Sequence, residues 1–172
     1  MQVRKRRTSD ESQLLDIAQL VHERDGYPPY LPDSDYRTFL FGHDTIGAWV
    51  AEDELGVVGQ VALHPRSSLP VMRMAADALA QPVDRLGVVA RLLVHPTRRR
   101  LGAGAELLDR AAHEAVELGL WPILDVVKDL ADAVLLYERQ GWLRIGEVVV
   151  TFDSGASIEE FVYVAPPTLR PA

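Results

Sequence analysis

The chain has 172 residues, 48% hydrophobic and 25% charged, with a formal net charge of −7 and no cysteine. This length fits one domain with a substantial core. The lack of cysteine excludes disulfides, thiolate nucleophiles and zinc–thiolate sites, and the acidic balance argues against nucleic-acid binding, which needs a basic surface.

Residues 2–7 (QVRKRR) read as a charged, edge-like first strand. Thr8, with Glu11 three residues on, has the spacing of a capping box. Leu14, Ile17, Ala18 and Val21 recur at helical spacing, so residues 9–24 are predicted to form an amphipathic helix. Asp25-Gly26 ends it, and the Pro-rich segment from Tyr27 to Pro32 cannot continue it. Asp33 or Ser34 is expected to cap a short second helix through Leu40. Residues 46–52 and 56–64 are β-rich and separated by Asp53-Glu54-Leu55, the pattern of a hairpin. The connection 65–85 carries an Ala- and Met-rich middle, Met72 to Leu79, that is expected to be helical.

Residues 87–94 (GVVARLLV) read as a buried strand. Residues 102–118 read as a helix with Ala105, Leu108, Ala112, Ala115 and Leu118 on its buried face and Gly119 as its stop. Residues 122–127 form a strand, 131–140 a helix ended by Gly141, and 142–152 and 158–164 two final strands. The expected fold is single-domain α/β over residues 1–165, with a loose Pro-rich tail at 166–172. It has a mixed, mostly antiparallel sheet of about seven strands flanked by helices, and the β–α–β unit at 87–127 supplies one parallel pair. No apolar run reaches the roughly 18 residues of a membrane span. The basic start from Met1 to Arg7 is not followed by the apolar stretch of a signal peptide. The expected location is cytoplasmic, with neither membrane nor nucleic acid as partner.

The chemistry concentrates at Leu92 to Ala105 (LLVHPTRRRLGAGA), where a buried strand runs into three arginines and two glycines that open a helix. Glycine permits close backbone approach. The helix start presents open N–H groups and a positive dipole end. Together they make an anion site, and a diphosphate suits it. A Walker loop is excluded by the missing lysine, and a dinucleotide fingerprint by Leu107 where the third glycine belongs.

The stretch R-x-x-G-x-G at Arg99 to Gly104, after L-x-V-x-P at Leu92 to Pro96, resembles the acetyl-CoA signature of the GNAT N-acetyltransferases. Ala133…Leu136-Tyr137-Glu138…Gly141-Trp142 resembles that family's A-x-x-L-Y-E-x-x-G-[FW] segment, and the element order over roughly residues 2–164 also matches. The resemblance implies acetyl-CoA as acyl donor. Leu92, Leu93 and Val94 would pair with the pantetheine arm in the manner of an added strand. Arg99, Arg100, Leu101, Gly102, Ala103, Gly104 and Ala105 would hold the pyrophosphate through their N–H groups. A primary amine of a small molecule or peptide would attack the thioester directly, helped by proximity. A lysine-like amine has a pKa of about 10.4, so roughly one in a thousand is neutral at pH 7 and a base is needed. Tyr137 would return a proton to the leaving thiolate. The C-terminal strands imply a possible homodimer.

One position departs from the pattern. Leu130 stands where many members carry an asparagine, which motivates a second reading as a catalytically degenerate acyl-CoA-binding sensor or structural protein. Glu52, Asp53, Glu54, Asp125, His64 and His95 are all candidate bases and none is singled out. The five histidines form no metal-ligand pair, so no metal is expected. Tyr27, Tyr30, Phe39, Phe41 and Trp49 are candidates either for the acceptor site or for the core.

Overall fold

The computed structural model describes residues 1–31, 35–42 and 44–172. Asp33 and Ser34, expected as helix caps, and His43 lie outside the described residues. In chain order the elements are β1 (Gln2–Lys5), α1 (Glu11–Asp25), α2 (Tyr36–Phe41), β2 (Gly47–Asp53), β3 (Gly56–His64), α3 (Leu69–Leu79), β4 (Leu86–Val94), α4 (Ala103–Glu117), β5 (Trp121–Val127), α5 (Ala131–Arg139), β6 (Leu143–Thr151) and β7 (Ser157–Val164). The strands form one seven-stranded sheet in the order β1-β2-β3-β4-β5-β7-β6. The β4–β5 pair is parallel, and β1–β2, β2–β3, β5–β7 and β6–β7 are antiparallel. The mixed, mostly antiparallel sheet flanked by helices is the architecture expected.

The chain groups into two compact units, Met1–Leu63 with Arg91–Ala111 and His64–Ala90 with Ala112–Ala172. In the first unit, α1 turns Leu14, Ile17, Ala18 and Val21 onto a core completed by Phe39, Leu40, Val50 and Leu93. Each large side chain there gains roughly 1.5–3 kcal/mol from burial. The start of α1 differs from expectation. Asp10, rather than Glu11, closes the capping arrangement by accepting the Arg7 N–H at 2.7 Å, and a 3₁₀ turn at Thr8–Asp10 precedes the helix. Arg4 holds the same Asp10 carboxylate with two hydrogen bonds. Asp35 caps α2 by accepting the Thr38 N–H at 2.8 Å.

In the second unit, α3 packs Val71, Met72 and Ala75 against Leu86, Val88, Ile123, Val162 and Val164. It begins at Leu69, a turn before the predicted Met72, because Pro70 sits in the first turn, where its missing N–H costs nothing. The tail holds a 3₁₀ turn at Pro167–Leu169, and Arg170 Nε donates to the Ala165 carbonyl at 2.8 Å.

The helix α4 corrects one part of the sequence reading. Its buried positions are Ala103, Leu107, Leu108, Ala111, Ala112 and Ala115. Ala105 is only half-buried and Leu118 is 53% exposed. The stripe runs along 103–107–111 beside 108–112–115. Leu118 lies beyond the helix, where Gly119 at φ +73° turns the chain.

Candidate active site

The first unit carries the strand end and loop singled out above. The β4–β5 pairing covers Leu86 to Val88. Three residues further on, Arg91 takes φ +55°, a left-handed conformation rare for a non-glycine residue in a strand. This backbone irregularity lies just before Leu92, Leu93 and Val94. Two neighbours fit it closely. A Cβ on Gly59 would lie 2.5 Å from the Leu93 carbonyl oxygen, so only glycine allows this approach. Gln60, fully buried, donates from Nε2 to the Arg91 carbonyl at 3.2 Å. Its Oε1 accepts from Arg6 Nη1 at 3.0 Å.

Beyond β4 the loop is fastened by side chains. His95 caps a 3₁₀ turn, its Nδ1 accepting the Thr97 N–H at 3.3 Å. Arg98 pairs with Asp53 at 3.4 Å. Arg99 pairs with Asp25 at the end of α1 and reaches the Val94 carbonyl through Nε. The Arg99 side chain therefore anchors the loop, and what it offers a ligand is its backbone. Arg100, at φ +65°, and Gly102, at φ +92°, turn the chain into α4. Alternation of this kind makes concavities lined by N–H groups. Gly102 has no side chain with which to cap the helix, so the N–H groups of Ala103, Gly104 and Ala105 begin α4 at its positive end. Arg100 and Leu101 are exposed beside them. This open, glycine-flanked helix start fits a diphosphate.

The second unit carries Tyr137 on α5. The ring is 8% exposed and packs 6.5 Å from Trp142 and 6.0 Å from Tyr163, centroid to centroid. Tyr163 donates its hydroxyl to Glu138 at 3.1 Å. Burial, and then the neighbouring Glu138 carboxylate, push the Tyr163 phenol up to about 12. Leu130 is the N-cap position of α5 and gives the helix no side-chain cap.

Of the candidate bases, Asp125 sits on β5 and accepts the Ser67 hydroxyl at 2.8 Å. Glu160 of β7 lies against it. Burial, and then the charge of Asp125, push the Glu160 carboxyl up to about 8, so it holds its proton at neutral pH. Glu52 is bound to Arg4 and Asp53 to Arg98, Glu54 is exposed in the hairpin turn, and His64 is buried at the end of β3. The early aromatic residues divide. Trp49 is core, 1% exposed, while Tyr30 is 41% exposed. Tyr27 and Phe39 meet edge to face at 5.6 Å, and Phe41 carries the Arg6 guanidinium at 4.7 Å. Among the described residues no group of acidic or histidine side chains could hold a metal, and no helix is long and apolar enough to cross a membrane.

Sequence reasoning did not single out Gln60, Arg91 or Glu160. The first two had a visible signal. Each is a lone polar residue inside an otherwise apolar strand, GVVGQVALH and GVVARLLV, and such residues are buried only with a partner or a purpose.

Comparisons with known proteins agree with this architecture. No curated protein matches the chain in sequence. Among solved structures, the ribosomal-protein-alanine N-acetyltransferase of Brucella melitensis matches with a TM-score of 0.67 at 20% identity, over 96% of this chain and 99% of its own. Arabidopsis thaliana NAA60 in complex with acetyl-CoA matches with a TM-score of 0.69 at 16% identity, over 97% and 98%. An N-acetyltransferase of Staphylococcus aureus matches with a TM-score of 0.69 at 16% identity, over 96% and 97%. At such identities these likenesses concern the fold. The model of the acetyltransferase (GNAT) family matches residues 14–142, well over half of the sequence, and the chain belongs to that family.

Proposed function

We propose that this protein is an acetyl-CoA-dependent N-acetyltransferase that transfers an acetyl group to a primary amine of a small molecule or peptide. The observation that carries the reading is the open start of α4 behind the fastened arginine loop, on a chain whose family is established. The N–H groups of Arg99, Arg100, Leu101, Gly102, Ala103, Gly104 and Ala105 take the pyrophosphate. Leu92, Leu93 and Val94 take the pantetheine arm along their backbone. The donor supplies an activated acyl thioester. The amine nitrogen forms the new bond to the acyl carbon as the C–S bond breaks and gives up one proton to a base or a water chain, and Tyr137 returns a proton to the sulfur. Holding both reactants in one geometry supplies much of the rate, and a positioned acid contributes about 10²–10⁴-fold.

Thermal unfolding with acetyl-CoA, CoA, NAD and ATP tests the cofactor assignment. A ligand that binds only the folded chain raises its stability. A rise with acetyl-CoA and CoA alone is expected, and no rise with either sinks the assignment. Gly104→Leu removes that rise while the circular dichroism spectrum stays native. Thiol release across an amine panel then reads turnover. Tyr137→Phe lowers kcat by at least about tenfold if the hydroxyl donates its proton. Tight acetyl-CoA binding with no turnover on any amine would support the degenerate sensor instead.

A further inference from the structure

We propose that Arg91 is the receptor for an anionic group on the acceptor, so that the amine acetylated by this protein also carries a carboxylate. The inference rests on the acetyltransferase reading above and names the substrate class of that site.

Arg91 interrupts the apolar strand GVVARLLV one residue before Leu92. Its backbone is held at φ +55°, and a strained residue in a strand persists only where its surroundings over-determine it. Those surroundings are visible. Gln60 fixes the Arg91 carbonyl, and Arg6 in turn fixes Gln60. The guanidinium lies over the face of Phe39, 4.2 Å from the ring centroid. Its Nε is shielded from solvent and donates no hydrogen bond. Among the described residues, no carboxylate pairs with it. Arg4, Arg24, Arg37, Arg98, Arg99 and Arg144 each have one.

An aromatic face attracts the positive charge. It offers no acceptor for five N–H donors, and a shielded Nε–H without a partner is unfavourable. A ligand oxyanion completes the arrangement. The planar fork of arginine matches a carboxylate in a two-point contact, and the stacked, backbone-locked side chain is organised in advance for it. A net charge of −7 disfavours a purely anionic guest. An amine that carries a carboxylate is a zwitterion and escapes that penalty.

The test is acetyl-CoA turnover, followed by thiol release, on glycine, β-alanine, 4-aminobutanoate and the L-α-amino acids, each set against its own amide. The best acid should exceed its amide by at least about 100-fold in kcat/KM, mostly through KM. Arg91→Gln should bring that ratio down to within about threefold of unity, with Arg91→Lys recovering part of it. Circular dichroism and the urea midpoint check the fold of both variants. Equal rates for acids and amides in the wild type overturn the inference and leave acetyl transfer standing. So does a preference that survives Arg91→Gln. No thiol release with any amine sinks the acetyltransferase reading instead. The receptor is then read by thermal shift in the presence of CoA: the amino acids must raise the wild-type melting temperature and fail to raise that of Arg91→Gln, and any other pattern overturns it.

Discussion

Arg4 and Arg91 are both strand arginines of the same compact unit, and the structure treats them in opposite ways. Arg4, with its side chain 15% exposed, spends its guanidinium on two carboxylates. It forks onto Asp10 at 2.8 and 2.9 Å and reaches Glu52 at 2.8 Å. The hydrogen bonds from Arg4 hold the Asp10 carboxyl below the usual carboxylate range, and the same bonds raise the guanidinium. Arg91 has an aromatic ring and a strained backbone in place of the carboxylates. Arg4 carries its counter-charges with it. Arg91, held rigidly without one, is organised to receive one.

Breaking the satisfied corner should have the largest effect. Asp10→Ala leaves Arg4 without its main partner and the 3₁₀ turn before α1 without its capping carboxylate, and should cost about 3 kcal/mol in urea unfolding. The pH profile sharpens the point. The folded value for Asp10 lies below its unfolded value of 3.8, so its contribution is whole at neutral pH and is lost as pH falls through and below that value. Asp10→Asn should therefore flatten the acid limb of the wild-type stability curve, and an unchanged limb would mean that the corner does little.

Glu160 gives the opposite sign, being a buried carboxyl beside a like charge. Its folded value of about 8 lies above its unfolded value of 4.5. Between those values the folded chain holds a proton that the unfolded chain has lost, so stability declines as pH rises through the window. Glu160→Gln should remove that decline, so that the variant loses less stability than the wild type between pH 5 and pH 8. Urea midpoints at the two pH values decide it.

Smaller still is Ala80→Gly. Ala80 closes α3 at φ +51°, exposed, a left-handed position with no ligand in prospect. The substitution should stabilise the fold by about 1 kcal/mol, which separates ordinary backbone strain from the strain at Arg91. The smallest effect belongs to Arg91→Met, which should change the stability of the unliganded protein by less than about 1 kcal/mol, because it removes an unpaired charge and keeps an apolar stem over Phe39. A loss near that of Asp10→Ala would erase the contrast between the two arginines.

Much of this was legible in the order of residues. Helices α1, α4 and α5 announce themselves by apolar spacing, and the glycines at 26, 119 and 141 that follow them all take positive φ. The anion-binding loop is legible for the same reason: a helix start and its glycines are local, set by residues within one or two turns of each other. The slips were also local. The expected Thr8–Glu11 capping box shifted by one residue, to Arg7 and Asp10, on a 3₁₀ turn before α1, where Arg4 also holds the Asp10 carboxylate. The stripe of α4 sat slightly around the helix from the predicted face because one alanine resembles another until packing chooses between them.

Long-range choices belonged to the tertiary structure. Composition and periodicity determined an α/β chain, its succession of elements and a strand–loop–helix suited to a diphosphate. They could not decide that β7 enters the sheet between β5 and β6. Nor could they show that Arg99 anchors to a carboxylate 74 residues away, or that Glu160 faces Asp125. That the Arg91 guanidinium lies over the Phe39 ring was equally hidden. Periodicity reports which face of an element is buried. The identity of the partner across the gap depends on how distant segments meet, and a buried charge acquires its meaning only from that partner.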